Sequence, residues 1–242
     1  MIIVSAHYNE NLNWLKNCKY PVIICDKPGA TPSAFISDLK CTIDINKGRE
    51  ASSFLKFIIV NYDNLPEYIA FIHGHETAPH QYHPDGILNA IDSANLNNYE
   101  YISLNNRLQS IIYDKNMRFD RNHPDDIYQI TDVAHVLMKK AWPIIYQPEL
   151  GIPFPEKLRY QQSAQFIVSR NKIYSHPKEF YEKLYRFVTY PYDIDPQTTD
   201  YISACVLEFS WHMIFGEKPD MCDTAPNDPL YNSCNDNIYL DL

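Results

Sequence analysis

The segment that most constrains the fold is GREASSFLKFIIVNYDNLPEYIAFIHGH, residues 48–75. Leu55, Ile58, Ile59 and Tyr62 recur at helical spacing, so they form one apolar stripe that has to be buried against another layer. Pro66 cannot continue the helix, because its ring removes an N–H and clashes with the preceding turn. The run YIAFI (68–72) follows, β-branched and aromatic and too short for a helix, which predicts a strand buried on both faces. A helix leading straight into a buried strand is half of a parallel α/β unit.

The same alternation extends in both directions. IIVS (2–5) and VIIC (22–25) predict the first two strands, and CTIDI (41–45) a short third one. Asn9 or Asn11 is placed to cap a short helix through Trp14 and Leu15. Further strands are expected at YISL (101–104) and QFIVS (165–169), and helices at 86–96, 131–142 (ending at Pro143), 175–188 and 199–216. The fold class expected is therefore α/β: one domain over residues 1–216, a mostly parallel twisted sheet flanked by helices, with an acidic tail, 217–242, laid over the surface.

Composition excludes several classes. A net charge of −9 without a basic cluster opposes a nucleic-acid partner, and no apolar run is long enough for a membrane span. The opening MIIVSAHYNE shows neither a basic n-region nor a small-residue cleavage site, so no secretory leader is expected. Six cysteines lie scattered at 18, 25, 41, 205, 222 and 234 without a CxxC pair, which predicts reduced thiols and a cytoplasmic location.

Candidate functional residues gather where the strands end. His73 and His75 lie two apart beyond the YIAFI strand, with Gly74 leaving the backbone open between them; Glu76, His80 and His83 follow. They are either exposed loop histidines or a set that meets a ligand: His73, His75 and Glu76 would then be metal ligands, or the two imidazoles would act directly. The HxHxDH pattern of metallo-β-lactamases is absent, since Thr77 and Ala78 occupy its Asp and His places. In NKGRE (46–50), Arg49 beside a helix N-terminus can take a phosphate, or be solvated while Glu50 favours the helix dipole. Tyr8, Asn9 and Asp26 close the first two strands, where a base can stack on Tyr8 and Asp26 can accept from hydroxyls. Glu208, four residues before His212 and among Cys205, Trp211 and Phe215, becomes a general base if its neighbours desolvate it; otherwise it forms a surface pair. Arg170, after QFIVS, is either an anion contact or part of an ion pair.

GREASSFLKFIIVNYDNLPEYIAFIHGHE, then QFIVSRNKI with HPKEFYEKL, then LEFSWHMIFGE, resembles the family grouped as domain of unknown function 3431, over residues from about 3 to 216. The order of elements also resembles GT-A nucleotide-sugar glycosyltransferases, with YNE after the first strand, Asp26 after the second, and HGH where that family has its Asp-x-Asp motif. That likeness implies transfer of a sugar from a nucleotide-sugar donor to a carbohydrate or glycoconjugate acceptor. Tyr8, Asn9 and Asp26 would hold the nucleotide. Arg49, His73 and His75 would face the diphosphate, with a divalent metal (Mn²⁺ or Mg²⁺, or the softer Zn²⁺) or without one. Glu208 would be the acceptor-side base. Two rival readings are a metal-dependent hydrolase using His73, His75, His80 and His83 with Glu76 as base, and a nucleotide- or carbohydrate-binding module without chemistry.

Overall fold

The computed structural model describes residues 1–33, 39, 41–78, 86–105, 108–112, 126–161 and 163–221, and of 108–112 and 126–132 the backbone alone. In chain order the elements begin with β1 (Ile2–His7), β2 (Val22–Asp26), α1 (Arg49–Asn61), β3 (Tyr68–His73), α2 (Ile87–Asp92), β4 (Tyr101–Ser103) and β5 (Leu108–Ile112). They continue with α3 (Asp126–Ala141), α4 (Gln147–Leu150), β6 (Lys157–Gln161), β7 (Phe166–Ser169), α5 (Arg170–Tyr174), α6 (Lys178–Thr189) and α7 (Asp200–Ile214). No helix among the described residues is long and apolar enough to cross a membrane.

Five strands form one sheet in the order β2-β1-β3-β7-β4. β2, β1 and β3 are mutually parallel, whereas β7 runs antiparallel between β3 and β4. The sheet is thus mostly parallel as expected, with one reversed strand. β5 and β6 make a separate antiparallel pair that the sequence reading did not anticipate.

Alternation along the strands divides the core into two faces. Ile69 and Phe71 point to the side covered by α1, α3, α6 and α7, while Ala70 and Ile72 point to the side covered by α2. On the first side Phe54 of α1 lies 4.9 Å from Phe71 and 6.1 Å from Phe166, and Phe166 lies 5.2 Å from Trp211 of α7. Burying each such ring is worth roughly 1.5–3 kcal/mol, so this aromatic block fixes α1 and α7 against the sheet. α7 starts at Thr199, whose hydroxyl accepts from the Ile202 N–H, and stops at Gly216 with φ 80°.

Several local expectations change or are narrowed. Residues 41–45 form no strand: Cys41 is tied to Cys25 of β2 by a disulfide, and Ile43 is buried without a ladder. That disulfide also corrects the expectation of reduced thiols, on which a cytoplasmic location rested. The chain does not break at Pro143, because the wider π-helical turn Trp142–Tyr146 accommodates a residue without an N–H and lets α4 follow. Asn11 rather than Asn9 serves the short 3₁₀ turn Asn13–Asn17, its side chain accepting from the Asn13 N–H at 3.0 Å, and α2 ends at Asp92.

Candidate functional site at the ends of the parallel strands

The parallel register sets three strand ends side by side: His7 opposite Asp26, and Ala6 opposite His73. Partners in register share a face, and His7 and Asp26 use it: Nδ1 of the buried His7 lies 2.7 Å from Asp26 Oδ1, and its Nε2 3.2 Å from the Glu10 carbonyl. The other Asp26 oxygen accepts from the Ser33 N–H at 3.0 Å. Glu10 closes the turn that follows β1, its carboxylate accepting from the N–H groups of Tyr8 (2.7 Å) and Asn9 (3.1 Å). Burial alone would raise the Glu10 carboxyl, but these backbone donors and the nearby His75 outweigh it and hold the group below its ordinary range.

The turn forms one wall of an open pocket of about 820 Å³, lined by Tyr8, Asn9, Glu10, Trp14, His75 and Glu76 among others. Trp14 is fastened there by its indole N–H, which donates to the Gly74 carbonyl at 3.2 Å. Gly74 is closely packed: a Cβ on it would come within 3.1 Å of the Ala6 carbonyl and of the Glu10 side chain, so a larger residue would press on both. The volume is that of a site for a nucleotide-sized ligand.

Across the end of β3, on the α1/α7 side, lies a second set of groups. His73 continues the alternation of Ile69 and Phe71 and so faces α1 and α7. Desolvation, the leading effect, lowers its pKa, with His75 and Arg49 acting in the same direction against Glu50 and Glu10; the ring is therefore neutral at neutral pH. Its backbone N–H donates to the Gln165 side chain at 3.2 Å, and Gln165 is fully buried with its amide nitrogen unpartnered among the described residues. Tyr201, Cys205 and Glu208 form one stripe of α7, spaced four and three residues apart. Arg49 meets this stripe, its guanidinium carbon 4.1 Å from the centre of the Tyr201 ring.

Glu208 is the most perturbed acid of the set. Burial, then the charge of Glu50, pushes its pKa up to about 8, against the opposing pull of Arg49 and of the Ser163 N–H that it accepts. Among the described residues only Arg49 (φ 44°) and Ser163 (φ 78°) combine a non-glycine side chain with left-handed backbone, and both adjoin Glu208. Such strain costs about 1–3 kcal/mol per residue and concentrates at ligand clamps and active sites.

Several expected site residues therefore come together: Tyr8, Asn9 and His75 on the pocket, Asp26 behind it, and Arg49, His73 and Glu208 across the strand end. Arg170 does not. β7 is antiparallel to β3, so Ser169 pairs with Tyr68 and Arg170 lies at the opposite end of the sheet, where its guanidinium donates to the Leu65 carbonyl. Of the expected metal ligands His73, His75 and Glu76, the two imidazoles are edge to face with centroids 6.5 Å apart, and among the described residues no three His, Cys, Asp or Glu side chains gather as ligands. His80 and His83 lie outside the described residues. His212, expected beside Glu208, turns instead to the Pro219 carbonyl, 3.3 Å away. The sequence reading assigned no role to His7, Glu10, Trp14 or Gln165; strand parity linking His7 to Asp26 was the one signal available, and it needs the register to be known.

Together the fold and site define an α/β protein with an open mixed sheet, a polar pocket at the carboxyl ends of its parallel strands and, across the end of β3, His73 and Glu208 near Arg49. The chain belongs to the family described as Protein of unknown function (DUF3431), whose model matches residues 2–228. No curated protein and no solved structure matches it.

Proposed function

We propose that this chain is a glycosyltransferase-like enzyme that moves a sugar from a nucleotide-sugar donor to a carbohydrate acceptor. The observation that carries the reading is the meeting, at the end of β3, of the pocket walled by Tyr8 and His75 with the set made by Arg49, His73 and Glu208. The nucleotide occupies the pocket, with its base against the exposed Tyr8 ring and the Asn9 side chain, above the turn that His7 and Asp26 hold in place. Its diphosphate points toward His75, Arg49 and the N-terminus of α1. The element order, which resembles that of GT-A glycosyltransferases with HGH in place of their Asp-x-Asp motif, supports the same assignment.

In the reaction the acceptor hydroxyl attacks the anomeric carbon, a new C–O bond forms, and the bond to the diphosphate breaks with its electron pair leaving on the diphosphate oxygen. Charge thus develops at the leaving group, which in this reading meets the Arg49 guanidinium and the first N–H groups of α1. His73 is neutral and contributes a hydrogen bond rather than a charge. Glu208 takes the proton from the acceptor hydroxyl; with its pKa near 8, the basic fraction grows as pH approaches that value. In this reading Arg49 and the N-terminus of α1 neutralise the leaving diphosphate.

A thermal-shift series with UDP, GDP, their sugar conjugates and the free nucleosides, each with and without Mn²⁺, tests the reading. Binding at a hundredfold excess over Kd adds about 2.7 kcal/mol of stability, so a diphosphate-dependent rise in Tm is expected. Equal melting in all nucleotides, with no sugar released from any donor, would overturn it.

A further inference from the structure

We propose that Tyr201 is the positioning residue for Arg49, its ring holding the guanidinium at the N-terminus of α1 where a diphosphate is received. The inference deepens the glycosyl-transfer reading and rests on it. Arg49 stands in left-handed backbone immediately after Gly48, itself left-handed at φ 67°, so its side chain leaves the helix start in a direction that an ordinary first-turn residue would not take. The guanidinium is exposed, and among the described residues it makes neither a hydrogen bond nor an ion pair. What it does contact is the face of Tyr201, at 4.1 Å. A planar cation lying over a ring keeps its N–H donors directed outward in its own plane, available to two phosphate oxygens at once.

The ring is itself fixed. Tyr201 sits in the first turn of α7, partly buried, next to Asp200, whose carboxylate accepts from the Gly48 N–H at 2.9 Å. The same turn of α7 thus holds the backbone on one side of Arg49 and its side chain on the other. A lysine or arginine that merely decorated the surface would need neither contact. Without the ring, a long side chain at a strained position would sample several rotamers and lose affinity through disorder rather than through lost charge.

Titration calorimetry of the full chain with inorganic pyrophosphate tests this, because that probe has no base or sugar. Tyr201→Leu should bind roughly 3- to 30-fold more weakly than wild type, Tyr201→Phe should bind like wild type, and Arg49→Ala should be insensitive to a further Tyr201→Leu change. Wild-type affinity in Tyr201→Leu, or equal loss in Tyr201→Phe, overturns the proposal. A second measurement covers misfolding of the leucine variant: the Arg49 Nε–H resonance of wild type, assigned through Arg49→Lys, should be shifted upfield by the ring and move when pyrophosphate is added. A resonance at the position of a free arginine overturns it as well. If wild type binds no pyrophosphate, the donor reading fails and the role of Tyr201 with it; if wild type binds and only the Tyr201 variants are silent, the donor reading stands alone.

Discussion

Replacing Glu208 by Gln removes one proton equilibrium and leaves the shape of the side chain nearly unchanged, so it isolates the electrostatics of the inner site. In the folded chain burial raises this carboxyl from its ordinary 4.5 to about 8, and the charge of Glu50 adds to the effect. The folded state therefore holds the proton more tightly than the unfolded chain. Stability is full below pH 4.5, declines as pH rises from there, and levels off above about 8. At about 1.4 kcal/mol for each tenfold change the ceiling of that decline is near 5 kcal/mol. Part of the side chain remains accessible to water, and screening reduces the figure to roughly 2 kcal/mol. The Gln variant lacks the decline, so it should gain about 2 kcal/mol on wild type between pH 5 and pH 9, roughly 4–8 °C in melting temperature. Urea unfolding of both proteins at pH 5, 7 and 9 gives the double difference directly. Parallel pH curves would refute the reasoning, and so would a wild type that gains stability on the variant as pH rises.

Asp26→Asn weakens the 2.7 Å bond to His7 and loosens the turn that carries Tyr8 and Asn9; a loss of about 1–3 kcal/mol in urea unfolding is expected, with a fall in nucleotide-induced thermal shift. Replacing Cys25 and Cys41 by Ser opens a loop closed across 16 residues, which should cost about 3 kcal/mol and lower the melting temperature by roughly 6–12 °C; reductant should lower that of wild type and leave the double variant unchanged.

Much of the frame was legible because it is local. β1, β2 and β3 are β-branched runs bounded by polar residues, and α1 carries its apolar stripe and its stop within a few residues, so local pattern and tertiary burial agree. The placement of Tyr8, Asp26, Arg49 and His73 at one edge of the sheet followed from where those elements end. The direction of β7 was not legible, since a fully buried strand reads the same in parallel and antiparallel pairings, and Arg170 was misplaced as a result. Nothing near residue 7 signals residue 26, and nothing near 25 signals 41: both links depend on register and loop path. Glu50 read correctly as a helix-start acid, but its influence on Glu208 comes through α7, about 150 positions away in the chain and out of reach of any local window.

The left-handed pair Gly48–Arg49 shows how such distant links bear on the site. A strained arginine at a helix start would relax unless its surroundings over-determined it, at a gain of about 1–3 kcal/mol. Three separate elements prevent that. From the residue after β2, the buried Lys27 ammonium donates to the Lys47 carbonyl at 2.7 Å and to the Ser52 hydroxyl at 2.6 Å. From α7, Asp200 accepts from the Gly48 N–H and Tyr201 supports the guanidinium. From α6, the Val188 carbonyl lies so close that a Cβ on Gly48 would meet it at 2.9 Å, which admits only glycine at that position. Burial holds the Lys27 pKa down to about 8, so at neutral pH its charge, and with it the first of these restraints, is largely intact. The direction of the Arg49 side chain is thus set by packing among β2, α6 and α7 rather than by the helix it begins. A substitution at Asp200, which does not line the pocket, should therefore reorient the guanidinium as surely as one at Tyr201.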